Sequence, residues 1–320
     1  MSGRVGFYMA GIANDLMPYA LFEARRRALF RRLAEQPEAA EDLFARVRYY
    51  NGMSPGWDAT ASRPIRAMPL KRTYYYYDLK SEAKHFGPDR RLRYIFGDVT
   101  RVPPEPAIVK SRPIGGANAN SVVMKLDRLR HFQLPKDERR FEDKRPWAVW
   151  RGGAGNPARA RLVDRFAAHP RHDIGFTGSS SAALNKPFLS VPEQLGYRYV
   201  ISIEGNDVAT NLKWIMASQS VCMMPKPRYE TWFMEGRLEP GVHYVELRDD
   251  FADLEEKVAR CEANPDEARL IVANANRHVD QFRRADRERL AALLVLQKYL
   301  ECTGQADPEP FSDRLYRDRV

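Results

Sequence analysis

A chain of 320 residues is long enough for two domains of ordinary size, and its 44% hydrophobic content supports a core that needs no disulfide or metal staple. The three cysteines, Cys222, Cys261 and Cys302, are far apart and form no CxxC, which excludes a disulfide framework and offers no zinc-ligand spacing. A net charge of +10 suits an anionic partner (a nucleotide, a nucleic acid or a phosphate-rich membrane surface), although many such charges do no more than solvate a surface.

The N-terminal stretch carries Asn14 and Asp15 where a secretory leader needs an unbroken apolar run. No segment approaches the roughly 20 apolar residues of a membrane span, and the cysteine usage fits a reducing cytosol. The expectation from these features is a cytoplasmic protein, with any membrane contact made from the surface. Leu21 to Leu33 intersperses Leu21, Phe22, Leu29, Phe30 and Leu33 with arginines, which predicts an amphipathic helix. Its apolar face either packs inside the protein or lies on a membrane. Glu38 to Tyr50 predicts another helix, and Asn51-Gly52 and Ser54-Pro55-Gly56 are loop signals. The four tyrosines Tyr74 to Tyr77 suggest a strand or aromatic packing. No RNA-binding motif accompanies them, so a nucleic-acid partner is not expected.

Leu92 to Phe96 reads as a strand ended by Gly97-Asp98, and Ala107 to Val109 as a second, running into Lys110, Ser111 and Arg112. Gly115 to Asn120 is a loop and Val122 to Lys125 a short strand. Residues 135–146 are polar with a proline at each end, and a domain boundary is expected at 140. Trp147 to Trp150 is the next strand, ending in Arg151-Gly152-Gly153. Asn156-Pro157 then opens a helix that carries Arg159 and Arg161. Asp173 to Thr177 is a strand followed by a serine-rich loop at 178–181.

Residues 197–249 hold the strongest pattern. Two apolar runs, Tyr199 to Ile203 and Val221 to Met224, flank a turn, Glu204 to Asp207, and a helix-like segment around Ala209 to Ala217. Such an arrangement predicts parallel strands of an α/β unit, whose ligands bind beyond the carboxyl ends of the strands. The Glu204–Asp207 turn is therefore a candidate phosphate site at a helix start. Further on, Phe251 to Cys261 is a helix with Asp249 and Asp250 as caps, and Glu267 to Phe282 and Arg284 to Tyr299 are long helices. His243, at the start of a strand, reads as structural. The polar tail from Thr303 onward is expected to be poorly ordered. Cations and helix starts in the second half, against a carboxylate at a strand end in the first, match a two-domain sugar transferase, in which a base deprotonates the acceptor while cations stabilise a departing diphosphate.

Four features in order, the strand ending in Gly97-Asp98, WRGG at 150–153 with Pro157 and Arg159, YRYVISIEGNDVATNLKW at 197–214, and YETWFMEGRLEPGVHYVELRDDFADLEEKV at 229–258, resemble glycosyltransferase family 90 over roughly residues 92–285. The form GNDVATNLKW is most similar to its bacterial lipopolysaccharide-modifying branch. The resemblance implies an α/β fold of GT-B type: two Rossmann-like domains facing a cleft, at 1–140 on the acceptor side and 141–285 on the donor side, with residues 286–320 as a helix and tail returning to the first. It implies an inverting, metal-independent transfer from a nucleotide sugar, UDP-linked in the family, to a hydroxyl of a lipopolysaccharide core or other surface glycan at the inner face of the cytoplasmic membrane. No cofactor is implied, since the nucleotide sugar is a substrate. Asp98 maps onto the general base. Arg151, Gly152, Arg159, Gly205, Asn206, Asn211, Lys213 and Glu230 fall on the donor side, and Lys110, Ser111 and Arg112 on the acceptor side. Animal members carry an arginine where Asn211 stands, and Lys213, two positions on, faces another side of a helix and cannot simply replace it. The alternative from the charge alone is a non-catalytic module for anionic polysaccharide or nucleic acid.

Overall fold

The computed structural model describes residues 2–178 and 184–316. The chain divides into two compact units: Met1–Arg130, Tyr229–Trp232 and Phe282–Val320 form the first, and His131–Arg228 and Phe233–Gln281 the second.

The first unit opens with α1 (Ser2–Leu16) and α2 (Tyr19–Glu35), separated by Met17-Pro18. Proline has no N–H with which to continue α1, and it stands instead at the cap of α2. Lys84 Nζ donates to the carbonyls of Asn14, Asp15 and Met17, which occupies the otherwise unpaired C-terminal end of α1. α2 buries Phe22, Phe30 and Leu33, and α3 (Glu41–Tyr50) buries Leu43, Phe44, Val47 and Tyr50, so both predicted helices form. β1 (Arg63–Pro64) precedes α4 (Thr73–Ala83), so of the two expectations for Tyr74–Tyr77, a strand or aromatic packing, the run takes the second, on a helix. Tyr75, Tyr76 and Tyr77 are all buried, more than a strand with one exposed face would bury. Tyr77 stacks edge-on with Phe7 of α1 and lies against Gly11, and Tyr76 Oη donates to Asp15 at 2.8 Å. These tertiary contacts override the β preference of tyrosine.

Next come β2 (Arg91–Leu92), β3 (Tyr94–Ile95), β4 (Ala107–Val109), β5 (Ser111–Pro113), β6 (Ser121–Val123) and the short α5 (Arg128–His131). β1 pairs antiparallel with β2, and β3, β4 and β6 form a parallel sheet in the order β3-β4-β6. Its middle strand, Ala107-Ile108-Val109, is wholly buried, as a parallel strand covered on both faces must be.

The second unit is built on β7 (Arg145–Gly152), α6 (Pro157–Phe166), β8 (Asp173–Phe176), α7 (Val191–Gln194), β9 (Tyr197–Ile201), α8 (Leu212–Met216) and β10 (Val221–Met224). β11 (Tyr229–Thr231) belongs to the first unit, where it pairs antiparallel with β5. β12 (Val245–Glu246), α9 (Leu254–Ala263) and α10 (Pro265–Asp280) complete the second unit. Its five strands are all parallel, in the order β12-β10-β9-β7-β8. Trp150, Ile174, Tyr199, Ile201, Met223, Phe251 and Leu254 share one apolar cluster. Parallel pairing puts the carboxyl ends of β7, β9 and β10 on one edge, so Arg151-Gly152 and the turn after Ile203 share that edge.

Two local expectations change here. α8 has five residues and starts at Leu212, so the Glu204–Asp207 turn does not lead straight into a helix. The capped helix start on this edge is that of α6, where Asn156 Oδ1 accepts the N–H groups of Ala158 and Arg159. At α9 the cap position falls on Asp253, while Asp250 accepts Ala252 N–H in the preceding turn. Most of the serine-rich loop at 178–181 lies outside the described residues.

α11 (Ala285–Cys302) and α12 (Asp313–Tyr316) return to the first unit. The tail is packed through Tyr316, against expectation. Phe311 and Leu315 are buried, and the Phe311 ring meets Phe30 at 5.2 Å and Phe44 at 5.9 Å. Two apolar residues four apart suffice to anchor a polar segment whose burial they drive. The fold is α/β with parallel sheets in both units. Among the described residues, no helix is long and apolar enough to cross a membrane.

Candidate active site

In the first unit, the chain leaves β3 through Gly97, whose φ of +118° strains any residue with a side chain. Arg72 Nη1 donates to the Phe96 carbonyl at this turn. Asp98 follows, its side chain 30% exposed, with one carboxylate oxygen accepting Lys110 Nζ at 2.7 Å. Lys110 is buried at the end of β4 and so holds the carboxylate in one orientation. Ser111 Oγ bonds both backbone groups of Val99, the next residue. Arg112 donates to Glu230 at 2.7 Å, to the Ser121 carbonyl and to the Tyr49 carbonyl, while Tyr49 Oη donates to the other oxygen of Glu230. Lys110, Ser111 and Arg112 are thus buried supports behind Asp98. Glu230, placed on the donor side by sequence, lies in the first unit as the partner of Arg112. Tyr49 carried no sequence signal for this network.

In the second unit, a pocket of about 270 Å³ opens at the carboxyl edge of the sheet, and Trp150, Arg151, Gly152, Arg159, Asn211 and Trp214 are among its lining residues. Four of the donor-side residues are therefore together. Arg159 reaches over the Trp150 ring, its guanidinium carbon 6.0 Å from the centroid, and a side-chain carbon at Gly205 would come within 3.2 Å of its Nη2. A side chain at Gly205 would thus press on the end of Arg159 and shift it by a few tenths of an ångström. Asn156 Nδ2 donates to the Gly205 carbonyl at 3.0 Å, which joins the start of α6 to the turn, and Gly205 N–H donates to the Asp207 carbonyl at 3.0 Å within it. Asn206 is exposed at the tip. Arg159 and the indoles of Trp150 and Trp214 are the groups at this edge chemically suited to an anion and a ring, while Asn156 occupies the N–H groups at the start of α6.

The remaining residues have other partners. Arg151 donates to Asp173 Oδ1 at 2.7 Å and to the carbonyls of Asp173, Pro187 and Trp150, with its side chain 5% exposed. Burial pushes the Asp173 carboxyl up, but hydrogen bonds from Arg151 and Tyr197 more than offset this and hold it below the usual range. Arg151 thus fixes the pocket wall at Pro187, next to Phe188. Asn211 holds the end of β9 through Ile201 and Ser202. Lys213 is fully buried, its ammonium 2.6 Å from Glu235. Trp150, Asn156 and Trp214 were missed as site residues. Both tryptophans fall inside the sequence motifs, yet an apolar run gives no sign of which of its members lines a pocket.

His169, His172 and Glu255 place three ligand-type atoms within 4.8 Å of one another. His169 Nδ1 accepts the N–H of Arg171 and His172, and His172 Nδ1 accepts that of Ala148. Each neutral ring therefore carries its proton on Nε2, and both Nε2 atoms face Glu255 Oε1. A metal there needs the Nε2 lone pairs, so these tautomers oppose ligation. Burial also lowers the His172 pKa. The cluster sits at the amino end of β8, the opposite edge from the pocket.

The sequence model of Glycosyl transferase family 90 matches residues 121–303. O-glucosyltransferase LpsA of Dichelobacter nodosus is 46% identical over 301 residues, 92% of this chain and 95% of the relative. Protein O-glucosyltransferase 3 of Homo sapiens is 28% identical over 162 residues, 48% of this chain and 32% of the relative. Protein O-glucosyltransferase 2 of Danio rerio is 33% identical over 75 residues, 23% of this chain and 15% of the relative. The protein is thus a glycosyltransferase, and the alternative of a non-catalytic module is set aside. The chain belongs to glycosyltransferase family 90.

Proposed function

We propose that the enzyme moves glucose from UDP-glucose to a hydroxyl of a lipopolysaccharide core or other surface glycan, on a GT-B scaffold, with inversion and without a metal ion. The observation that carries this is the pocket at the carboxyl edge of the second unit, which Arg159 lines beside the Gly205 turn. Glucose is supported by the name of the bacterial relative, which spans nearly the whole chain. UDP and the acceptor rest on the motifs quoted above.

In this reading Asp98 takes the acceptor hydroxyl proton as that oxygen attacks the anomeric carbon. The new glycosidic bond forms on the face opposite the bond to the diphosphate, which breaks and leaves as UDP. Arg159 bears the charge that develops on the leaving oxygens. Lys110 orients Asp98, and Arg151 holds the pocket wall.

The test is transfer by EDTA-treated enzyme from UDP-glucose to purified lipopolysaccharide core, with the product linkage read by NMR. A β-glucoside from the α-linked donor supports the reading. A retained α linkage, a requirement for manganese, or transfer only from another nucleotide sugar would overturn the corresponding part.

A further inference from the structure

α1 exposes an apolar stripe that none of the described residues of the first unit covers. Val5 is 63% exposed, Met9 62%, Ile12 45% and Leu16 81%. At 3.6 residues per turn these four fall within about 60° of one another on the helix. The opposite side holds Phe7, Tyr8 and Gly11 against α4. Beyond the α1–α2 corner, Leu21 is 49% exposed. Along the same face of α2 the exposed residues then become Arg25, Ala28 and Arg32, with Arg31 at the margin and Glu35 at the far end. Asp15, the acidic residue of α1, is turned inward and accepts Tyr76 Oη.

We propose that this stripe, with the arginine face of α2, docks the protein on an anionic phospholipid bilayer. An apolar strip flanked by arginines matches an interfacial helix, whose aliphatic side chains enter the acyl boundary while guanidinium groups stay at phosphate level. Charge complementarity favours lipid, because two copies meeting through this face would bring like-charged arginines together. A stripe of four side chains is also far short of the roughly 20 residues a side of a stable protein interface. The location differs from the Leu21–Leu33 segment singled out in the sequence, whose main apolar residues Phe22, Phe30 and Leu33 are buried. The proposal deepens the reading of the acceptor as a membrane-borne glycan by naming the surface that brings the enzyme to it.

The experiment is co-sedimentation of the full chain with vesicles of phosphatidylglycerol and phosphatidylcholine, and with phosphatidylcholine alone. Binding is expected with the anionic vesicles, weakened in about 0.5 M NaCl. It is expected to fall at least tenfold in Met9→Glu/Ile12→Glu, and in Arg25→Glu/Arg32→Glu should the first variant fold poorly. Wild-type levels of binding in folded variants, or no binding by the wild type, would overturn the proposal. So would a dimer in solution that Met9→Glu/Ile12→Glu turns into a monomer without any lipid effect, since the stripe would then pair two copies. A UDP-induced thermal shift is measured on the same samples. Its loss in the wild type speaks against the donor reading alone, and its retention with no vesicle binding speaks against the docking surface alone.

Discussion

Arg112 and Glu230 stand directly opposite each other in the β5–β11 ladder, and Arg112 Nε donates to Glu230 Oε1 at 2.7 Å with both side chains buried. A segment far along the chain is thereby fixed to β5, the second strand after Asp98. Removing one member of a buried pair strands the other charge, at a cost of about 3–5 kcal/mol. Arg112→Ala is expected to lower the urea midpoint by that equivalent and Glu230→Gln by less. An Arg112→Ala protein unfolding at the wild-type urea concentration would show that the pair contributes little.

Asp98 is the half-exposed carboxylate at the β3 end, held by Lys110. Asp98→Asn keeps the shape and removes the proton acceptor. Transfer should fall by about 10²–10⁴-fold, the usual contribution of a general base, with UDP affinity near normal by calorimetry. Near wild-type turnover would move the base elsewhere.

Arg159 and Arg151 are expected to separate. Losing the charge-assisted bonds of Arg159 should cost about 1.5–3 kcal/mol of UDP binding, roughly 10–100-fold in Kd, with little change in stability. Arg151→Ala, which removes the bonds to Asp173 and the Pro187 carbonyl, should instead lower the melting temperature first. The two effects are read from calorimetry and thermal unfolding of the same two proteins. The reverse pattern would exchange the two roles.

Asp78 on α4 sets a pH dependence. Burial pushes its carboxyl up to about 7, against the pull of Arg128, whose Nε lies 2.7 Å away. Below the ordinary value of 3.8 the group is protonated in both folded and unfolded chains. Between about 4 and 7 the folded state holds the extra proton, so this contribution to stability falls as pH rises and is flat above 7. At 1.36 kcal/mol per unit the loss is up to about 4 kcal/mol. Burial raises Glu82, one turn on, with the same sign. Asp78→Asn should therefore flatten, without abolishing, the decline between pH 4.5 and 8 in urea unfolding. An unchanged slope would remove Asp78 as its source.

Much of the second unit was legible because its signals are local. Val221 to Met224 is a continuous apolar run that must be a buried parallel strand. Asn156-Pro157 opens α6 because an asparagine cap followed by proline suits a first helical turn. The tyrosine run of α4 and the anchored tail around Phe311 were not legible, because their states depend on partners, α1 in one case and Phe30 and Phe44 in the other, that lie far away in the chain.

The same division holds at the site. From sequence alone come the parallel α/β strands of the second unit, the polar strand ends that carry Asp98, Arg151 and Gly205, and the family motifs around them, since side-chain period and turn chemistry act over a few residues. Tertiary structure alone decided which of these groups meet. It joined Arg159 to the Gly205 turn, gave Lys213 to Glu235, turned Arg151 toward Asp173 and paired Glu230 with Arg112. A charge in a sequence has no partner until folding brings an opposite charge within a few ångströms and removes the water between them, and the same type of residue then becomes either a ligand group or a strut.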